Sequence, residues 1–254
     1  MKKIVLVIVG IVIFVSVVAF QVNSNLALII SGLPQGGDLT QKELVFRANL
    51  FGVVPVAQAV LKTGNAISGT GGKLYYLTAE AKPLKIFASF FKGSVLIESY
   101  VDIKTLNPLV FRQKMFMPGK ADEIKEVIYD QKNNIMTTKG VKRNVLPDTR
   151  EPLSILLNLR NMDLSKVKDF EMNINTNQKN YAFKASVMPR LLRTHGKEYK
   201  LYIIKASIFR RDKNPYHKSF LDITMLNVNG KNTPILIKVV ASGMFLSAKL
   251  VDLK

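Results

Sequence analysis

From residue 43 onward the chain alternates apolar and polar residues with a period of two, and that alternation constrains its fold more than any other feature. Leu44, Phe46, Ala48 and Leu50 interleave with Val45, Arg47 and Asn49, for example. A strand sends successive side chains to opposite faces, so segments of this kind predict sheet. They fall at about 43–50, 56–61, 74–79, 94–103, 109–117, 122–130 and 134–139, and again at 167–175, 180–187, 198–209, 218–226, 234–241 and 243–252. Asn107-Pro108, Pro118-Gly119, Asn133-Asn134, Asn177 to Asn180 and Asn229-Gly230 supply turns between them. Strands on short connections pair antiparallel. The expectation is a mainly β fold: a single antiparallel meander of about ten strands, curled into a half-barrel or open barrel.

Two short helical insertions are expected. Phe87, Phe90 and Phe91 fall at helical spacing within 84–91, after a break at Lys82-Pro83. Asp148 to Pro152 reads as a helix start, with a capping residue and a proline early in the first turn. Leu153, Leu156, Leu157 and Met162 then form one stripe, so the segment 151–162 is expected to plug against the sheet. Gly64 to Gly72 reads as a loop.

Ahead of the sheet, Met1-Lys2-Lys3 is a basic start, and Ile4 to Phe20 is an apolar run broken only by Gly10 and Ser16. That is the export pattern. Residues 1–24 are expected to be a signal peptide cut after Ser24, or an uncleaved leader helix anchoring the chain in the inner membrane through residues 4–20. Residues 25–42 read as a connector and 43–254 as the β-rich domain. Either form of the leader implies a periplasmic or exported protein.

Charge and cysteine usage narrow the chemistry. Lys and Arg number 37 against 18 Asp and Glu, for a net charge of +19, little of which comes from Lys2 and Lys3. Such a field attracts anionic lipids, glycans and polymers. Export argues against nucleic acid as the partner. The absence of cysteine excludes disulfides, a thiol nucleophile and a lipid-modified cysteine anchor. The two histidines, His195 and His217, sit in turn-like stretches with no acid or nucleophile elbow beside them, so no hydrolytic triad is expected. Asp122, Glu123 and Glu126 lack the spacing of a calcium loop. No metal or other cofactor is implied. The candidate ligand-binding residues are Glu98, which shares a strand face with Asp102, and the basic residues Arg190, Arg193, Lys197, Arg210 and Arg211, read as loops around 190–218 and interleaved with Tyr199, Tyr202 and Tyr216.

Several segments, in order, resemble a bacterial exported family catalogued as domain of unknown function 3108. They are Glu43 to Ala48 with Val56 to Leu61, then Ile97-Glu98-Ser99-Tyr100-Val101-Asp102 followed by Leu106 to Phe111, then Val127 to Asp130, then Glu151 to Arg160, and finally Pro234 to Val239. The resemblance implies an exported, mostly antiparallel β protein. It implies no activity and names no catalytic residue.

The functional expectation is a non-enzymatic envelope protein that binds a lipid-like or glycan anionic ligand on an apolar concave sheet. The alternative is an interaction module whose core is filled, with partners docking on a sheet edge or on the 151–162 helix. An envelope hydrolase using Glu98 is a third, weaker reading.

Overall fold

A computed structural model describes residues 43–67, 73–88, 93–176, 178–194, 196–211, 219–241 and 244–253. The leader, the connector, His195 and His217 lie outside the described residues.

Among the described residues fourteen strands form one sheet. They are β1 (Glu43–Leu50), β2 (Val54–Ile67), β3 (Lys73–Pro83), β4 (Ser94–Asp102), β5 (Pro108–Phe116), β6 (Glu123–Asp130), β7 (Ile135–Thr138), β8 (Val141–Asn144), β9 (Asp169–Thr176), β10 (Lys179–Thr194), β11 (Lys197–Arg210), β12 (Ser219–Val228), β13 (Lys231–Ala241) and β14 (Met244–Leu253). One helix, α1 (Pro152–Asn161), joins β8 to β9. The sheet order is β8-β7-β6-β5-β4-β3-β2-β1-β14-β13-β12-β11-β10-β9, and every strand pairs antiparallel with its neighbours. The first strand therefore lies mid-sheet beside the last, and the two edges, β8 and β9, flank α1 in sequence.

The sheet curls but does not close. β8 and β9 do not pair with each other, and the segment 145–151 spans the gap. The Arg150 N–H donates to Asn173 O at 2.9 Å, and the Asn175 N–H donates to Arg150 O at 2.8 Å. These bonds make a single parallel bridge onto β9. The Val145 N–H donates back to Asn134 O, tying the same segment to the β6–β7 turn.

Helix α1 lies against the inner face. Leu153 and Leu157 join a core with Leu44, Phe46, Leu77 and Ile97, while Ile155 and Leu159 join a second core with Phe183, Ile204, Ile223 and Met225. The helix thus fills the space between the two halves of the sheet. Its buried residues, Leu153, Ser154, Ile155, Leu157, Asn158 and Leu159, lie on more than one side.

Some local expectations need correction. β2 runs through Gly64 to Ile67, where a loop was expected, because Gly64 pairs with Tyr76 and Ile67 with Lys73 across the ladder. β3 reaches Pro83, which occupies the last ladder position, where a missing N–H costs least. Of the helix expected at 84–91, the described part is a single 3-10 turn, Lys85–Phe87. β8 was not expected. It pairs with β7 through Lys139-Gly140, both at positive φ. Asn229-Gly230 has the same geometry, the two-residue hairpin its sequence predicts. β10 continues to Thr194, so Arg190 and Arg193 are strand residues and not loop residues.

Candidate functional site

Ser99 and Glu98 sit side by side on β4 and point to opposite faces. Ser99 occupies an inward slot in phase with Val95, Ile97 and Val101, and is fully buried. Its hydroxyl donates to Glu151 Oε1 at 2.8 Å. Glu151 is the N-cap of α1. It also accepts the Ser154 N–H on Oε1 and the Leu153 N–H on Oε2, both at 2.7 Å, while its own N–H donates to Ser154 Oγ. This is a reversed capping box, with the acid at the cap and the serine three residues on. Burial raises the Glu151 carboxyl above the usual carboxylate range, only partly offset by these donors. The Tyr129 phenol is pushed up as well, first by burial and then by the charge of Glu151.

The rest of the helix is fixed in the same way. Asn158 Nδ2 donates to Leu106 O at 3.1 Å. Asn232 Nδ2 donates to Leu159 O at 3.0 Å and Met162 O at 2.7 Å, satisfying carbonyls at the C-terminal end. Start and end of α1 are tied to the sheet, and its middle to the β4–β5 turn, each by a buried polar side chain. Sequence reasoning did not single out Ser99, Asn158 or Asn232 as functional. The available signal was phase: Ser99 is a polar residue in the apolar register of its strand.

On the outer face, Glu98 accepts the Tyr76 hydroxyl at 2.6 Å and an ion pair from Lys114 at 2.8 Å, with Arg112 at 3.9 Å. Arg112 Nε donates to Glu126 at 2.9 Å. Burial works to raise the Glu98 carboxyl, but the bonds from Lys114 and Tyr76 and the nearby cations prevail and hold it below the ordinary range. Burial, the bond to Glu98 and its charge push the Tyr76 phenol up. Tyr76 packs on Tyr100 with ring centroids 4.9 Å apart. Both Glu98 oxygens are therefore engaged on the side of the sheet away from α1. Asp102, four residues on, accepts the Lys104 and Thr105 N–H groups and shapes the turn after β4.

The basic candidates divide into two groups. Arg190, Arg193 and Lys197 lie towards the β10–β11 tip, where Arg193 pairs with Glu198 at 2.9 Å. Arg210 and Arg211 lie at the other end of β11, roughly 40 Å away at about 3.3 Å per residue. There Arg211 bonds Glu171 and donates to Asn173 Oδ1 at 2.7 Å. The strands bring neither group to Glu98 on β4, so these residues do not form one site.

A crevice of about 30 Å³ opens at the seam between β6 and β9, lined by Lys125, Val127, Tyr129, Pro152 and Asn175 among others. It has room for a water and not for a lipid chain or sugar. Among the described residues no group of three His, Asp or Glu could hold a metal. No helix among them is long and apolar enough to cross a membrane.

An uninterrupted antiparallel meander, curled without closing around a central helix, defines a β-barrel-like protein. The fold is similar to the crystal structure of a beta-barrel-like protein of domain of unknown function DUF1849 from Brucella abortus, with a TM-score of 0.54 and 10% identity over 84% of this chain and 97% of that one. The chain itself belongs to the family of proteins of unknown function DUF3108, whose model matches residues 45–220. That match includes Glu98 to Asp102 and Glu151 to Arg160, and ends before Pro234. No curated protein matches the chain.

Proposed function

We propose that this chain is an exported, non-catalytic envelope protein that works by binding an anionic envelope component on its outside. The observation that carries the reading is the position of α1. The helix and its polar ties occupy the concave side of the sheet, where a lipid-like ligand would otherwise lie. This favours the filled-core form of the protein over a ligand carrier. The anionic partner is inferred from the net charge of +19. The acid first considered as a catalyst, Glu98, has its oxygens engaged by Tyr76 and Lys114. Export is inferred from the basic, then apolar, N-terminal segment, whether cleaved or kept as an anchor.

Two measurements test this reading. Fractionation of cells expressing the chain should recover it outside the cytoplasm, and recovery in the cytosol would refute export. Purified protein should retain anionic lipid or lipopolysaccharide at low ionic strength and release it as salt screens the charge. Binding that ignores salt, or none at all, would refute the anionic partner.

A further inference from the structure

The turn between β1 and β2 reads Phe51-Gly52-Val53 and β2 opens with Val54, without one polar side chain among the four. Turns are normally built from Gly, Asn, Asp, Ser and Pro, whose small or polar side chains suit solvent. Here Phe51 is 59% exposed, Val53 76% and Val54 41%. The backbone is turned by Phe51 and Gly52, both at positive φ. Gly52 is held there because a Cβ on it would strike the ring of Phe245 at 2.4 Å.

Further exposed apolar residues lie to both sides of this turn, on one side beyond the buried Phe245. The Leu84 N–H donates to Val56 O, so the 3-10 turn that follows β3 lies next to the start of β2 and brings Ile86, 74% exposed, to the same end of the sheet as the β1–β2 turn. On the other side the Phe51 N–H bonds to Phe245 O, Phe245 pairs with Val240, and Val240 pairs with the exposed Phe220. The result is an apolar rim at one end of the sheet, the end opposite the start of β1. Lys82 and Lys85 flank it. The nearby acid on β3, Glu80, is paired with Lys82 at 2.7 Å.

From this rim we infer that the protein docks end-on to an anionic lipid bilayer, with Val53, Phe51 and Ile86 entering the interfacial zone and the flanking lysines meeting headgroup phosphates. Exposed apolar side chains gathered at one end of the sheet call for an explanation that scattered ones do not. The β1–β2 turn itself, Phe51-Gly52-Val53, carries no polar side chain with which a protein partner could set a register. Apolar insertion beside cations is the pattern of interfacial membrane binding. The inference rests on the anionic-partner reading above and names its source and its point of contact.

The test uses the absence of cysteine. Val53→Cys, Ile86→Cys and Leu191→Cys are introduced one at a time into the full chain, and each is labelled with an environment-sensitive fluorophore. Leu191 lies near the β10–β11 tip, at the other end of the sheet. Circular dichroism confirms that each variant folds. Labelled protein is mixed with vesicles of phosphatidylethanolamine and phosphatidylglycerol, or of phosphatidylcholine alone. The expected result is a blue shift and quenching by lipid-borne quenchers at 53 and 86 with the anionic vesicles only, and no change at 191. Because the readout is local, an apolar leader inserting elsewhere does not imitate it. Labels at 53 and 86 that stay in water would overturn the inference. A shift at 191 alone would overturn it while leaving an anionic partner in place, at the β10–β11 tip. Equal shifts at all three positions would mean adsorption without orientation and would also overturn it. No shift anywhere would overturn it too, and the salt-dependent retention assay would then judge the broader reading separately.

Discussion

Glu98 on β4, held by Tyr76 and Lys114, and Glu151 at the cap of α1, held by Ser99 of β4, show how a residue's environment sets the sign of its contribution. Glu98 is held below the ordinary carboxylate range, so its ionised form stabilises the fold above the unfolded value of about 4.3, and that stabilisation is lost as pH falls through its folded value. Glu151 is held above that range, so its contribution is present below the unfolded value and is lost as pH rises through the folded one. Urea unfolding followed against pH should separate the two. Glu98→Gln is expected to cost about 1–2 kcal/mol near neutrality, discounted for its partly exposed cationic partners, with the deficit closing in acid. Glu151→Gln should show the opposite trend, its deficit shrinking as pH rises. A deficit independent of pH in both variants would mean that neither carboxyl is perturbed. Ser99→Ala removes one donor to a buried acid and should cost about 1–2 kcal/mol at any pH where Glu151 is charged.

Helix α1 was legible in the sequence as an element, through Pro152 and the leucine stripe. Its role was only partly so. A stripe says that one face is buried. It does not say that a curled sheet surrounds the helix, because that depends on which strands lie opposite, a long-range fact that no local pattern encodes. The strands were legible from their period, and the Asn229-Gly230 hairpin from its turn chemistry. β8 was missed because Val141-Lys142-Arg143-Asn144 is wholly exposed and has no apolar phase. The extension of β10 was missed because arginines at 190 and 193 read as solvated loop. The basic candidates were chosen by density along the chain, yet a fourteen-residue strand separates Lys197 from Arg210 however close they seem in sequence. Because α1 belongs to both main cores, truncating either side of it should weaken the whole fold. Leu157→Ala and Leu159→Ala are each expected to cost about 2–5 kcal/mol, with Asn232→Ala costing about 1–3 kcal/mol through unsatisfied helix carbonyls. Thermal unfolding followed by far- and near-ultraviolet circular dichroism would check this. If the two signals separated in Leu157→Ala, the halves would be independent and α1 would not couple them.

At the scale of the molecule, an open barrel has two edges to protect, and here the protection is unequal. The β9 edge is covered in part by the bridge from Arg150 and continues through long ladders into β10, β11 and β12. The β8 edge ends in two strands of four residues, held by a small cluster of Val127, Tyr129, Met136 and Val145. Across the seam the bonds among the described residues are few: those of Arg150, a contact of 3.5 Å from the Tyr129 hydroxyl to Asn175, Asn173 Nδ2 to Pro147 O at 2.8 Å, and Asn180 Nδ2 to Asn144 O at 3.4 Å. Local opening follows such differences in buried contact and hydrogen bonding. Native-state hydrogen exchange should therefore show β7 and β8 opening at free energies below global unfolding, while β11 to β13, flanked on both sides and packed on α1, exchange only when the whole molecule unfolds. Since the segment 145–151 leads directly into the cap of α1, opening at the seam should also loosen the helix start. Glu151→Ala is then expected to lower protection at β7 and β8 as well as in α1, and to leave β11 to β13 at the new global limit. Protection in β7 and β8 equal to that of the central strands would mean that the seam is closed as firmly as a ladder, and that 145–151 serves as a full staple between the two edges.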